Sequence, residues 1–138
     1  MLKHVTIEEN LLREYSAVVL AYIGDAVFEL AVRSHIVADG NRKIKDIHHD
    51  AVQMVRANSQ ARFLRCFFDD LCVEEQDIVR RGRNAKGTPP KTADPDDYQL
   101  STGFEALLGY LYLKGDDDRL EELLAMVFHY TEINGILD

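Results

Sequence analysis

Apolar residues recur along the chain at spacings of three and four, and nowhere in the alternation that marks a half-buried strand. Leu20, Ile23, Val27 and Leu30 make one such stripe in a segment that runs from Ser16 to about Val37, which predicts a long helix with one inward face. Behind Asp46, read as a cap, the residues Ile47, Ala51, Met54, Val55 and Ala61 repeat the pattern, and Leu64, Phe67 and Phe68 extend it. A short helix is expected from Val73 to Arg81, stopped by Gly82 with basic residues in its last turn, as helix ends prefer. From Gly82 to Gln99 the period lapses, and Gly87, Pro89, Pro90 and Pro95 read as a long loop. A helix starting at Ser101 or Thr102 then carries Phe104, Leu107, Leu108 and Leu111 to Lys114-Gly115, and a last one from about Asp118 carries Leu120, Leu123, Leu124, Val127 and Phe128. Five helices and no strand predict an all-α fold, a compact single-domain helical bundle over residues 1–138.

Composition changes this picture little and charge changes it more. Hydrophobic residues at 46% and charged residues at 29% are ordinary for a globular chain and exclude disordered and collagen-like classes. The longest nearly apolar run, Ala17 to Val32, is interrupted by Asp25 and Glu29 and is too short and too charged to cross a bilayer. The opening MLKHVTIEEN lacks the apolar core of a signal peptide, and Cys66 and Cys72 are the only cysteines. Together these lead to the expectation of reduced thiols in a cytoplasmic protein without a membrane partner. The net charge of −8 argues against a nucleic-acid partner, but local potential, not total charge, governs steering. Between Ile78 and Ala93 there is no acidic residue, while Arg80, Arg81, Arg83, Lys86 and Lys91 all fall there, flanked by acidic runs on both sides. Arginines and lysines set among Gly and Asn suit contact with phosphates; a solvated charged loop is the plainer alternative.

Three constellations offer chemistry. Asp25 follows Gly24 inside the most apolar stretch, with Glu29 one helical turn on. A carboxylate in such surroundings is costly unless paired or metal-bound, and a glycine in a helix interior suggests close approach of a ligand or another helix; the alternative is a solvated edge of an amphipathic helix. Glu105 stands three residues after Thr102, the spacing of a capping box, and by spacing alone capping is the better reading. His48, His49 and Asp50 resemble the His-Asp pair of helical metal-dependent phosphohydrolases, for which His35 and Asp77 would have to supply the remaining ligands. A polar helix face is the better reading of the two histidines. No phosphate-binding or dinucleotide-binding glycine pattern is present.

Two segments carry a resemblance to a known family. Leu20-Ala-Tyr-Ile-Gly-Asp-Ala-Val-Phe-Glu29 resembles the signature helix of the ribonuclease III family, and Phe104-Glu-Ala-Leu-Leu-Gly-Tyr-Leu-Tyr112 resembles that family's second carboxylate helix. Tyr22-Ile23 before Gly-Asp, Arg80-Arg-Gly-Arg-Asn-Ala-Lys86 and Ser101-Thr102 before the second segment are similar to the Mini-ribonuclease III branch, which consists of the catalytic domain without a double-stranded RNA-binding domain. The resemblance implies a fold of the ribonuclease III endonuclease-domain type. It implies Asp25 and Glu105 as catalytic, metal-binding residues, Mg2+ as cofactor, and cleavage of double-stranded RNA by a homodimer. It further implies maturation of large-subunit (23S) ribosomal RNA precursors, with any ribosomal-protein helper unknown. In the longer enzymes of the family a Glu and an Asp stand where this chain has Ala21 and Thr102. A non-catalytic helical module that binds structured RNA is the alternative, since it would keep the basic segment without needing Asp25 and Glu105 together.

Overall fold

The computed structural model describes residues 5–85 and 87–135. It consists of α1 (Glu9–Leu12), α2 (Ala17–Ala38), α3 (Ile44–Val55), α4 (Ala57–Phe67), a 3₁₀ turn (Phe68–Asp70), α5 (Val73–Arg83), α6 (Pro95–Lys114) and α7 (Asp117–Asn134), with no strand among the described residues. The all-α bundle is as expected. Among the described residues its α-helices number seven, not five.

Each boundary that differs from expectation has a local cause. The predicted second helix breaks at Arg56, whose extended backbone (φ −66°, ψ 155°) closes α3 and opens α4. Asp46 lies in the first turn of α3 and is not its cap, a position held by Lys43. α5 runs through Gly82 to Arg83. The largest correction concerns the loop expected over 82–99. α6 begins at Pro95, with Asp94 as its cap accepting from the Asp97 amide at 3.0 Å, so the irregular segment shrinks to the stretch between Asn84 and Asp94. An Asp cap followed by Pro at the first helical position is a strong start signal, and Pro95 belongs to the helix rather than to a loop. α7 is capped likewise by Asp116, and α6 ends on Gly115 in the left-handed region (φ 84°).

α6 is the axis of the fold. Phe104, Ala106, Leu107, Leu108, Tyr110 and Leu111 are all buried, so the helix is enclosed on nearly every side, as expected of a helix apolar all round. Phe28 of α2 meets the Phe104 ring edge-on at 5.1 Å and the Phe63 ring of α4 at 6.2 Å. Of the stripe predicted on α2, Leu20 and Val27 are buried and Ile23 packs against the core, while Leu30 is exposed. α5 and α7 are joined by a part-buried ion pair in which Arg119 grips the buried Glu75 at 2.7 and 2.9 Å.

Two glycine pairs let α6 touch its neighbours backbone to backbone. A Cβ on Gly24 would lie 1.7 Å from the Glu105 carbonyl oxygen, and one on Gly109 would lie 1.9 Å from the Leu20 carbonyl oxygen. On another side of α6, Gly82 and Gly103 face each other, a Cβ on Gly82 falling 2.6 Å from the Gly103 Cα. Backbone cannot swing aside as a side chain can, so added volume here must push whole helices apart. Gly24→Ala or Gly109→Ala is therefore expected to cost about 3 kcal/mol or more, the upper end for overpacking. Denaturant unfolding measures this, and a loss below that of an ordinary surface substitution would refute the packing account.

Candidate active site

The crossing at Gly24 and Gly109 decides what stands beside it. Asp25 is the next residue on α2, and Glu105 is the residue whose carbonyl Gly24 meets. Their carboxyl groups, eighty positions apart in the chain, come within hydrogen-bonding reach of each other, with the charge of Glu29 also felt at Glu105. Of the two readings left open for Asp25, the solvated edge is the one found. Asp25 is exposed at the edge of the apolar segment, and Glu105 is the carboxylate drawn into the interior.

Glu105 is not a capping residue. It sits in the middle of α6, three turns after Pro95, and Thr102 uses its hydroxyl to donate to the Tyr98 carbonyl at 3.1 Å. The capping reading depended on a helix start at Ser101 or Thr102, and the true start at Pro95 removes it. Burial first, then the Asp25 carboxylate, and more weakly Glu29, push the Glu105 carboxyl up from 4.5 to about 8, while a hydrogen bond from the Gln60 amide pulls the other way. Gln60 donates to Glu105 Oε2 at 3.2 Å from α4 and is 2% exposed. Sequence reasoning missed it, since a glutamine on an apolar helix face carries no signal of a partner forty-five residues away.

Neither position where the longer family members have an acid supplies a ligand here. Ala21 is buried in the core, and the Thr102 hydroxyl is bound to its own helix. Glu29 accepts from Arg33 at 3.2 Å. Among the described residues no three His, Cys, Asp or Glu side chains converge as a metal cluster. The donor set is thus two carboxylates, one of them held neutral by burial and by its neighbour's charge. That set suits a hard cation which keeps most of its waters, as magnesium does. A cation here would relieve the repulsion that keeps Glu105 protonated.

The other candidates do not assemble. His48 and His49 are exposed on α3, and Asp50 pairs with Arg42 at 2.8 Å. His35 stacks on Phe128 with ring centroids 3.9 Å apart, and Asp77 faces Arg80 on α5. The basic residues divide. Arg80 reaches Asp77 at 3.5 Å and lies 5.5 Å from the Phe68 ring centroid, and Arg81 donates to the Tyr15 carbonyl. Arg83 and Lys91 are exposed with no ion pair or hydrogen bond among the described residues, and Lys86 lies outside the described residues. Lys91 stands between Pro90 and Thr92, which border a cleft of about 640 Å³ that also takes in Glu105, Gln60 and Tyr98. Cys66 and Cys72 are free thiols, and no helix among the described residues is long and apolar enough to cross a membrane.

Comparison with known proteins bears on the family and the fold. The Ribonuclease III domain family matches residues 18–116. The chain is 48% identical over 114 residues to the Mini-ribonuclease 3 of Symbiobacterium thermophilum, covering 82% of this chain and 88% of that protein. Against the Mini-ribonuclease 3 of Gloeobacter violaceus it is 46% identical over 124 residues, 90% of each chain. Among solved structures, a crystal structure of a protein from Fusobacterium nucleatum superposes with a TM-score of 0.80 at 27% identity, over 89% of this chain and 98% of that one.

The raised Glu105 carboxyl has a signed consequence for stability. The folded state holds this proton more tightly than the unfolded chain does, so metal-free stability should fall as pH rises across the window from 4.5 to about 8. Glu105→Gln, neutral throughout, should lack that fall and melt higher than wild type at the alkaline end. Thermal unfolding of chelator-treated protein across that range checks it; parallel curves for the two proteins would rule it out.

Proposed function

The chain belongs to the ribonuclease III family, and from that premise we propose that it is a magnesium-dependent endonuclease of double-stranded RNA with Asp25 and Glu105 as its catalytic, metal-binding pair. One observation carries the reading: two carboxylates from different helices are brought together at a backbone-to-backbone crossing, although one of them is driven to hold its proton there. Nothing in core packing requires acids at that spot, and a cation accounts for both.

Asp25 and Glu105 would hold the ion, which when bound supplies an acidified water and offsets charge on the phosphate oxygens. Asp25, on the exposed side, is placed to orient water toward the backbone of the substrate. Glu105 sits deeper, fixed by Gln60, and stays in register with the crossing. The outcome is hydrolysis of a phosphodiester bond.

Substrate and assembly follow from the surface. Duplex RNA is recognised by shape, phosphates and 2′-hydroxyls more than by base sequence, and within the basic segment Arg83 and Lys91 are the described cations without an ion pair, with Arg80, Arg81 and Lys86 completing that segment of the sequence. On α2, the exposed Val18, Val19, Tyr22, Leu30 and Val37 form a second apolar stripe, opposite to the buried one and adjacent to Asp25. A second copy of the chain fits it, because a two-fold axis lets such a stripe meet itself. The close approach at Gly24 is used within the chain, against α6. A homodimer would set two acidic pairs near each other, one for each strand. A large-subunit ribosomal RNA precursor is the proposed substrate and the cytoplasm the proposed location.

Incubating duplex RNA and magnesium with wild type, Asp25→Asn and His49→Ala tests the activity: cleavage should vanish in Asp25→Asn alone, and dependence on His49 would refute the assignment. The active species should sediment at twice the chain mass; full activity in a clean monomer would refute the dimer. Separately, Arg83→Ala with Lys91→Ala should weaken RNA binding and lower the slope of log affinity against log salt by about one per lost phosphate contact. An unchanged slope would remove both residues from the interface.

A further inference from the structure

Gln60 is a polar side chain almost wholly shut off from solvent, and its two amide hydrogens are both in use. After the extended Arg56, the first turn of α4 carries Gln60 back over the end of α3. There its Nε2 donates to the Val55 carbonyl at 2.8 Å and to Glu105 Oε2 at 3.2 Å. The Val55 carbonyl can only accept, so it fixes the nitrogen and not the amide oxygen on this side. Val55 ends α3, and a carbonyl at a helix C-terminus has no partner within its own helix. One amide therefore links the end of α3, the start of α4 and the buried carboxylate on α6. Gln60 Oε1 is buried without a hydrogen-bond partner, so no competing contact draws the amide away from Glu105.

We infer that Gln60 is a positioning residue for the metal site, anchoring one oxygen of Glu105 so that the other is presented beside Asp25. The inference rests on the proposed metal-binding role of that pair. Its physical basis is the thinness of the donor set. A site with only two carboxylates has no further ligand to correct a misplaced one, so the rotamer of Glu105 must be fixed from behind. Glu105 has few means of its own: it is a long side chain in mid-helix, and its charged form is repelled by Asp25 and Glu29. The Gln60 amide opposes that repulsion directly, because an N–H donor favours the ionised carboxylate that a cation requires. Ser59, the preceding residue, donates its hydroxyl to the Gln53 carbonyl at 2.5 Å and supports the same elbow without touching Glu105. It provides the control that separates positioning from simple support of the fold.

The test uses Gln60→Met, which keeps the volume and removes the donor, beside Ser59→Ala, Glu105→Gln and wild type. Manganese binding to metal-free protein is read by electron paramagnetic resonance, and the half-activating magnesium concentration is read from duplex cleavage. Gln60→Met should weaken manganese binding and raise the half-activating concentration by about ten- to a hundred-fold, the usual effect of losing a partner behind a ligand. Its RNA affinity in metal-free buffer should stay that of wild type, and Ser59→Ala should move neither metal readout. A folded Gln60→Met with wild-type manganese affinity overturns the inference, as does a Ser59→Ala that shifts both readouts equally. Should Gln60→Met not fold, Gln60→Asn is read the same way, since one methylene fewer cannot reach both acceptors. Wild type that binds no manganese would instead refute the metal role of Asp25 and Glu105 themselves, and Glu105→Gln binding like wild type would do so for Glu105.

Discussion

The contact of Gly24 with the Glu105 carbonyl, mirrored by Gly109 with the Leu20 carbonyl, is the constraint on which the rest of the structure depends. A pair of glycines in mid-helix is costly in each helix taken alone, by roughly 1 kcal/mol apiece against alanine. The return is that α2 and α6 meet at their backbones, closer than any side chain between them would allow. Only at that separation does an exposed residue of one helix share an acid pair with a mid-helix residue of the other. The site is thus a by-product of interhelical distance, and any change that widens the crossing moves Asp25 and Glu105 apart.

The same closeness creates the electrostatic problem. Glu105 loses water on entering the interior and meets the Asp25 carboxylate there, so its proton is retained near neutrality. Such a pair is poorly stable without a cation and well matched to one, and metal affinity should rise with pH as the proton is displaced. Gln60 works against protonation from the opposite side. Asp25 and Gln60 hold Glu105 between a neutral state that suits the empty fold and an ionised state that suits a ligand.

How much of this was legible in the sequence depends on whether the signal was local. The periodicity of α2, α6 and α7 was readable because apolar stripes are written at fixed spacing. The break at Arg56 was not, for it has neither glycine nor proline to announce it and arises from the fit of α3 and α4 around the core. The start of α6 was readable in principle: Asp94-Pro95 is a cap and first-turn pair, obscured by the prolines and glycine before it. That single boundary decided the reading of Glu105, since a carboxylate three residues from a helix start caps it and one in the middle of a helix must answer to another element. Gln60 could not be found by any spacing rule, because its meaning is a contact made across 45 residues. The acid pair itself became visible only through the likeness of two segments to a known family.

The basic turn of α5 concentrates positive charge in a chain of net charge −8. Arg80, Arg81 and Arg83 gather at the C-terminal end of that helix, where cations are favoured by the helix dipole whatever they bind. Two of them also have work within the fold, Arg80 at Asp77 and the Phe68 ring and Arg81 at the Tyr15 carbonyl. Charge at a helix end is therefore ambiguous evidence for RNA contact, and loss of an arginine there weakens the helix as well as any interface. Counterion release separates the two effects: a structural arginine changes stability and leaves the salt slope alone, whereas a phosphate contact changes the slope. Arg83 and Lys91, exposed and with no ion pair or hydrogen bond among the described residues, are the positions where that criterion applies most directly.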